Sequence, residues 1–268
     1  MTIRTTPWPA GVPCWADLST PDLAAAQAFY GAVFGWDFDA PAGAEYGGYV
    51  LARVRGAAAA GLGPVQQPGM ASAWTLYVAS DDAEATAASI TEHGGTLVLD
   101  PSRIGSMGSL LMGLDPTGAP FGVWQAGEHI GAGIANEPGA LVWEDLCSPD
   151  PDRAATFYSG VFGWDTRPEG DTGYRVFSQA GTGVPLGGIG GMAGHDHLPP
   201  RWLVYFAVAD LDAATSAAEA AGGRVERRAA DAPYGRTAAV SDPAGADFLL
   251  IEADGTGTPD RSDTAAGT

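Results

Sequence analysis

Short alternating runs and helical periods follow one another in a fixed order along this chain. Cys14 to Ser19 alternates with the two-residue period of a strand. Leu23, Ala26, Phe29, Tyr30, Val33 and Phe34 then recur at helical spacing. Thr20-Pro21-Asp22 ahead of them reads as a helix start with proline at the first helical position, and Gly35 as its stop. Strand-like runs follow at Trp36–Phe38, Tyr49–Val54 and Ala58–Val65. The order then restarts, with a strand at Trp74–Ala79, a helix over Asp82–His93 ended by Gly94-Gly95, and strands at Thr96–Leu99, Ser109–Leu114 and Pro120–Gln125. Each half of the chain therefore predicts β-α-β-β-β twice.

The chain is also written twice. Trp15, Asp17, Phe29, Tyr30, Phe34, Gly35 and Trp36 recur 128 residues later as Trp143, Asp145, Phe157, Tyr158, Phe162, Gly163 and Trp164. Trp74, Tyr77, Asp82 and Gly94-Gly95 recur as Trp202, Tyr205, Asp210 and Gly222-Gly223. At an offset of 127, Asp115, Gly118, Phe121 and Gln125 recur as Asp242, Gly245, Phe248 and Glu252. The Gly/Ala-rich joint from Ala126 to Gly139 lacks strong periodicity. This predicts an α+β protein with domains at 10–127 and 138–254, a linker at 128–137, and a disordered Gly/Thr/Asp-rich tail at 255–268. Both units of each domain lie in one chain, so a monomer is expected.

Composition narrows the function. With 13 basic against 32 acidic residues the net charge is −19, which disfavours nucleic acid and anionic membrane surfaces as partners. Two cysteines, Cys14 and Cys147, are too few for a disulfide framework, and no apolar run approaches the ~20 residues of a membrane span. The N-terminus lacks the apolar stretch of a signal peptide, so a cytoplasmic location is expected.

The helix segments AAAQAFYGAVFGW and RAATFYSGVFGW, the helix-then-Gly-Gly units, and the motifs DPTGAPFGVWQ and DPAGADFLLIE together resemble the vicinal-oxygen-chelate superfamily. That superfamily includes glyoxalase I, extradiol dioxygenases and bleomycin-resistance proteins. Trp-x-Asp-Leu, Trp-x-x-Tyr and the linker HIGA are similar to tandem actinobacterial members labelled glyoxalase-like or hydroxylase. The resemblance covers about 12–126 and 140–253. It implies four βαβββ units paired into two curved, eight-stranded cups, each with a ligand on its concave face. It also implies four metal-ligand positions per cup, which fall at Trp15, Gly61, Thr75 and Gly122, and at Trp143, Gly187-Gly188, Leu203 and Leu249. None carries a carboxylate or imidazole, so no metal and no other cofactor is expected. His195 and His197 flank Asp196 in a loop, where a surface metal or simple solvation are both open readings.

Strand alternation then sets what lines the cups. Trp15 brings Asp17 and Ser19, Trp143 brings Asp145 and Cys147, and Thr75 and Leu203 bring Tyr77 and Tyr205. Gly122 brings Trp124, while Tyr49 and Tyr174 open the third strands near the rims. Trp15, Tyr49, Thr75, Trp124, Trp143 and Tyr174 are the candidate ligand contacts. Asp17, Asp145, Tyr77 and Tyr205 are the candidate catalytic groups: a carboxylate whose pKa rises on burial, and a phenol that donates to an oxyanion. The aspartates serve equally as backbone acceptors near a strand end, and the aromatics as core. The first cup, with glycines at 61 and 63, is read as the roomier.

Two functions fit these residues. One is a metal-independent protein that binds an aromatic or polycyclic small molecule, an antibiotic or secondary metabolite, for sequestration. The other is a metal-free enzyme performing proton transfer, isomerisation or cyclisation on a polyketide-like substrate. A metal-dependent glyoxalase or dioxygenase with ligands in another register, and an interaction protein without a ligand, complete the set.

Overall fold

The computed structural model describes the chain apart from residues 1–2, 44–45, 68, 193–197, 233–234 and 254–268, and apart from the side chains of 228–232. His195, His197 and the tail at 255–268 lie outside the described residues. The first βαβββ unit is β1 (Pro13–Thr20), α1 (Leu23–Phe34), β2 (Asp37–Phe38), β3 (Val50–Val54) and β4 (Ala57–Pro64). The second is β5 (Ala73–Ala79), α2 (Ala83–Glu92), β6 (Thr96–Ile104), β7 (Gly108–Leu114) and β8 (Pro120–Ala126). The other half repeats them as β9 (Leu141–Cys147), α3 (Pro151–Phe162), β10 (Trp164–Pro168), β11 (Arg175–Gln179) and β12 (Pro185–Gly190), then β13 (Arg201–Val208), α4 (Leu211–Ala220), β14 (Arg224–Ala232), β15 (Gly235–Ser241) and β16 (Asp247–Glu252). The strands form two open eight-stranded mixed sheets, β2-β3-β4-β1-β5-β8-β7-β6 and β10-β11-β12-β9-β13-β16-β15-β14. The expected pairing of units is thus observed. In each sheet the two units join through the antiparallel pair β1–β5 or β9–β13.

Capping explains the helix ends. Asp22, Asp82, Asp150 and Asp210 are the N-caps, each accepting a backbone N–H three residues on. Pro151 follows its cap at the first helical position, but Pro21 precedes Asp22. The first-helix start expected at Thr20-Pro21 is therefore displaced by two residues, because the carboxylate is the better cap. Gly35 and Gly163 end α1 and α3 in the left-handed region. Gln125 and Glu252 each accept the first backbone N–H of the helix beside them, at Ala83 and Leu211.

The two sheets pack back to back through their helix-bearing faces. Trp36 Nε1 donates across the interface to Gly139 O (2.7 Å), and Trp164 Nε1 donates the other way to Gly11 O (2.5 Å). Tyr30 sits between Trp74, whose Nε1 donates to its hydroxyl (3.0 Å), and Asp242 of the other half, which accepts from it (3.2 Å). In the mirrored arrangement Trp202 Nε1 donates to the Tyr158 hydroxyl (2.9 Å), and Tyr158 lies beside Asp115. Asp115 Oδ1 meanwhile accepts from Thr117 and from Ala119 N. The second glycine of each Gly-Gly pair is a docking surface. A Cβ at Gly95 would lie 2.8 Å from the Phe157 ring, and one at Gly223 2.6 Å from the Phe29 ring. Trp74 and Trp202 thus face the shared core, on the side of their strands opposite Thr75 and Leu203.

Because one core spans both halves, we expect a single unfolding transition in urea, with tryptophan fluorescence and far-UV circular dichroism coincident. Tyr30→Phe should lower stability by about 1–3 kcal/mol, since it strips a buried indole N–H and the Asp242 carboxylate of their shared partner. Two resolved transitions would contradict this packing.

Candidate functional site

The outer face of each sheet carries the residues that alternation turned away from the core. In the first sheet Asp17 stands opposite Thr75 and Gly61, Trp15 opposite Tyr77, and Tyr77 opposite Gly122. These neighbours make one cluster. Trp15 Nε1 donates to the Tyr49 hydroxyl (2.8 Å), and that hydroxyl donates to Asp17 Oδ2 (3.1 Å). Tyr77 also hydrogen-bonds Asp17. Tyr49 therefore reaches the floor of the site, deeper than the rim position expected of it. Glycine makes this possible, since a Cβ at Gly61 would overlap the Tyr49 hydroxyl and one at Gly122 would overlap the Tyr77 ring. Thr75 lines the same face beside Asp17.

The second sheet repeats the cluster with one change. Trp143 Nε1 donates directly to Asp145 Oδ1 (2.9 Å), which also accepts from the Tyr174 hydroxyl (2.7 Å). The Tyr205 hydroxyl donates to Asp145 Oδ2 (2.5 Å). Asp145 thus holds three donors. Asp17 holds two, because its indole is spent on a phenol. Gly188 opens the space for Tyr174 as Gly61 does for Tyr49.

The electrostatics follow from these donor sets. Burial raises the pKa of Asp17 to about 7, opposed by the Tyr49 and Tyr77 bonds. Burial also raises Asp145, opposed by Tyr205, Tyr174 and Trp143. The phenols of Tyr49, Tyr77 and Tyr205 are pushed well above the ordinary tyrosine value by burial and then by the neighbouring aspartate. They are donors throughout the physiological range.

The residues present do not fit a metal of the superfamily type. At the four expected ligand positions of the first cup stand an indole, two glycines beneath tyrosine rings, and a threonine. Among the described residues no three His, Cys, Asp or Glu side chains come together as a metal-binding group. Arg236, which replaces Ser109 of the first half, turns to Asp212 and Glu252.

Sequence reasoning missed His129. It lies in the segment read as a plain linker, yet its ring meets Trp15 edge-on at 4.6 Å and Trp124 at 5.5 Å. Its carbonyl accepts the Trp124 Nε1–H (2.8 Å). The linker is pinned along its length, with His129 N donating to Met107 O, Ala132 N to Cys14 O and Gly133 N to Ala58 O. The first cup is therefore less open than its glycines suggest. Beside the linker, Trp8, Cys14, Trp124 and Ile130 border a pocket of ≈ 160 Å³. That is below the ~300 Å³ at which small-molecule sites begin, so a polycyclic ligand would need the broader face around Asp17.

Residues 15–124 match the glyoxalase-like domain family, and residues 140–250 match the Glyoxalase/Bleomycin resistance protein/Dioxygenase superfamily. The chain is 38% identical over 256 residues to CFP32 of Mycobacterium tuberculosis, whose name carries a glyoxylase label; the match covers 90% of this chain and 95% of that one. It is 32% identical over 259 residues to the anthracycline biosynthesis protein DnrV of Streptomyces peucetius, covering 90% and 93%. Among solved structures, the Mn(II)-bound glyoxalase of Novosphingobium aromaticivorans superposes with a TM-score of 0.65 at 16% identity, covering 91% of this chain and 82% of that one. The 2,3-dioxygenase LapB of Pseudomonas sp. KL28 gives 0.65 at 15%, covering 98% and 96%. At such identities these structures speak for the fold. The chain belongs to the glyoxalase/bleomycin resistance/dioxygenase superfamily, as a tandem of two of its domains.

Proposed function

We propose that this protein is a metal-independent member of its superfamily that binds a planar, polycyclic aromatic small molecule of secondary metabolism in its first cup. The observation that carries the reading is the cluster of Trp15, Asp17, Tyr49 and Tyr77, which stands where the superfamily's metal ligands would stand. An indole wall with a carboxylate and two phenols suits a flat ligand edged with hydroxyl or carbonyl groups. The likeness to an anthracycline biosynthesis protein supports that ligand class. The first cup is preferred because Asp17 is the less saturated carboxylate. Asp145, closed by three donors, has less left to offer.

A second reading, proton transfer on the same ligand class, is favoured by one observation. With a pKa of about 7, Asp17 is roughly half ionised at neutral pH, where a general acid–base group works best. The two readings diverge at Asp17→Asn. For a binder, the variant changes affinity and there is no turnover to lose. For an enzyme, turnover of a bound polyketide-type substrate falls by about 10²–10⁴-fold with binding nearly intact.

Binding is measured by calorimetric titration of an anthracycline aglycone. Trp15→Ala should weaken it by about 1–3 kcal/mol, the range of aromatic stacking on a planar base. Gly61→Ala should weaken it as well, because the methyl displaces Tyr49 from Asp17. Unchanged affinity in both variants, with the fold intact, places the ligand elsewhere.

Stability gives an independent check of Asp17. Its folded pKa of about 7 lies above the ~3.9 of a free aspartate, so the folded state holds the extra proton between those values. Stability from this group is full below about pH 4 and declines as pH rises towards about 7. The difference between wild type and Asp17→Asn in urea midpoint should therefore shrink steadily across that window. His129 runs the opposite way, since burial lowers its pKa to about 4, which is why the difference and not the wild-type curve is the informative quantity. A flat difference from pH 4 to 7 would contradict the buried carboxylate.

A further inference from the structure

The interdomain linker has no counterpart in the internal repeat. Yet it delivers a side chain to the first cup. His129 lies between the two indoles of the first cup, Trp15 and Trp124, with its ring crossing Trp15 at 84° and Trp124 at 60°. The segment is fixed by main-chain bonds from His129 N to Met107 O and from Trp124 Nε1 to His129 O, neither of which involves the imidazole. The ring is therefore placed by its backbone and is free to be chosen for its chemistry. Its Nε2 is buried and makes no hydrogen bond. Buried polar nitrogens in folded proteins are nearly always partnered, by protein, water or ligand. A phenylalanine here would pack against the same indoles without that cost.

Burial and the Arg53 charge lower the His129 pKa to about 4, so the ring is neutral at pH 7 and presents one donor and one acceptor nitrogen. A neutral imidazole between two indoles offers a ligand one polar point on an otherwise apolar wall. That is the arrangement that separates two flat molecules differing by a single hydroxyl, because the unpaired nitrogen is satisfied by one and not by the other. We propose that His129 is the specificity-determining residue of the first cup, recognising a hydroxyl on the edge of a planar aromatic ligand stacked along Trp15 and Trp124. This rests on the first cup being the ligand site.

The test compares two water-soluble probes of one ring system, anthraquinone-2-sulfonate and 1,4-dihydroxyanthraquinone-2-sulfonate, by calorimetric titration of the full chain. Both carry the same charge, so the protein's acidity repels them equally. Wild type should bind the dihydroxy probe about fivefold more tightly, the effect of one net hydrogen bond. His129→Phe keeps a ring against both indoles and leaves the main-chain bonds in place. It should bring the ratio close to one while leaving affinity for the parent quinone unchanged. His129→Gln, which restores a polar edge, should recover part of the ratio. A ratio that survives His129→Phe, or that is already one in wild type, overturns the inference and leaves the cup reading standing. Equal loss of both probes in His129→Phe also overturns it, since the ring would then serve packing alone. Binding of neither probe by wild type sinks the cup reading and this inference together.

Discussion

Everything in this molecule depends on how the two halves lock together. Two indoles reach across in opposite directions to glycine carbonyls, Trp36 to Gly139 and Trp164 to Gly11. Between them, Tyr30 joins an indole of its own half to a carboxylate of the other. These are polar groups in a dry core, and such groups stabilise a fold only when partnered. They therefore fix one relative placement of the sheets, where hydrophobic burial alone would accept several. Asp242 shows how tightly this is arranged. One of its oxygens closes its own Asp-Pro-x-Gly turn by accepting from Ala244 N and Ala246 N, and the other accepts from Tyr30. A motif that reads as a turn signal is also half of a bond between domains.

That lock decides where function can be. With the helix-bearing faces used up against each other, the open faces of the two sheets point away from the core. At the superfamily's four ligand positions on each of those faces there is no imidazole and no carboxylate. The space is not left empty. Glycine at 61 and 188 lets a tyrosine hydroxyl descend onto the floor, and the aspartate two residues beyond each tryptophan receives it. A carboxylate in such a place needs donors to stay hydrogen-bonded once water is withdrawn, and the phenols supply them without introducing a countercharge. For Asp17 the result is a carboxyl whose pKa burial raises to about 7, which an Asp–Arg pair would not give.

Much of this was legible in the residues. The 128-residue repeat gave two domains, the restart at Trp74 gave two units in each, and strand alternation put Trp15, Asp17 and Tyr77 on one face and Trp74 on the other. The helices were legible too, except that Pro21 draws the first helix start two residues early. What could not be read were contacts that no periodicity encodes. Tyr49 precedes its strand, so alternation had no hold on its direction, and its depth depends on a glycine in the neighbouring strand. His129 meets Trp15 across 114 positions of sequence through a segment outside the repeat. HIGA reads in the sequence as a family mark, but its physical meaning lies in the main-chain bonds from Ala132 to Cys14 and from Gly133 to Ala58.

Duplication explains why the halves are alike, and the linker explains why they differ. A segment that joins two copies can be close to only one of each kind of edge, so the copies cannot remain equivalent once it has been pinned. Here it runs back over the first sheet, and the first cup gains a histidine between its two indoles. The same cup has the weaker donor set around its carboxylate, because Trp15 bonds Tyr49 where Trp143 bonds Asp145. In the second cup every oxygen of Asp145 is engaged by its own neighbours, and the cluster around Trp143, Val176 and Ile251 closes as a small core separate from the main one. Polar groups that are already satisfied by the protein stabilise it, whereas those left short of partners are available to something else. The asymmetry therefore sets apart two clusters built from one sequence pattern: the second is closed on itself, and the first is the one left for the ligand proposed above.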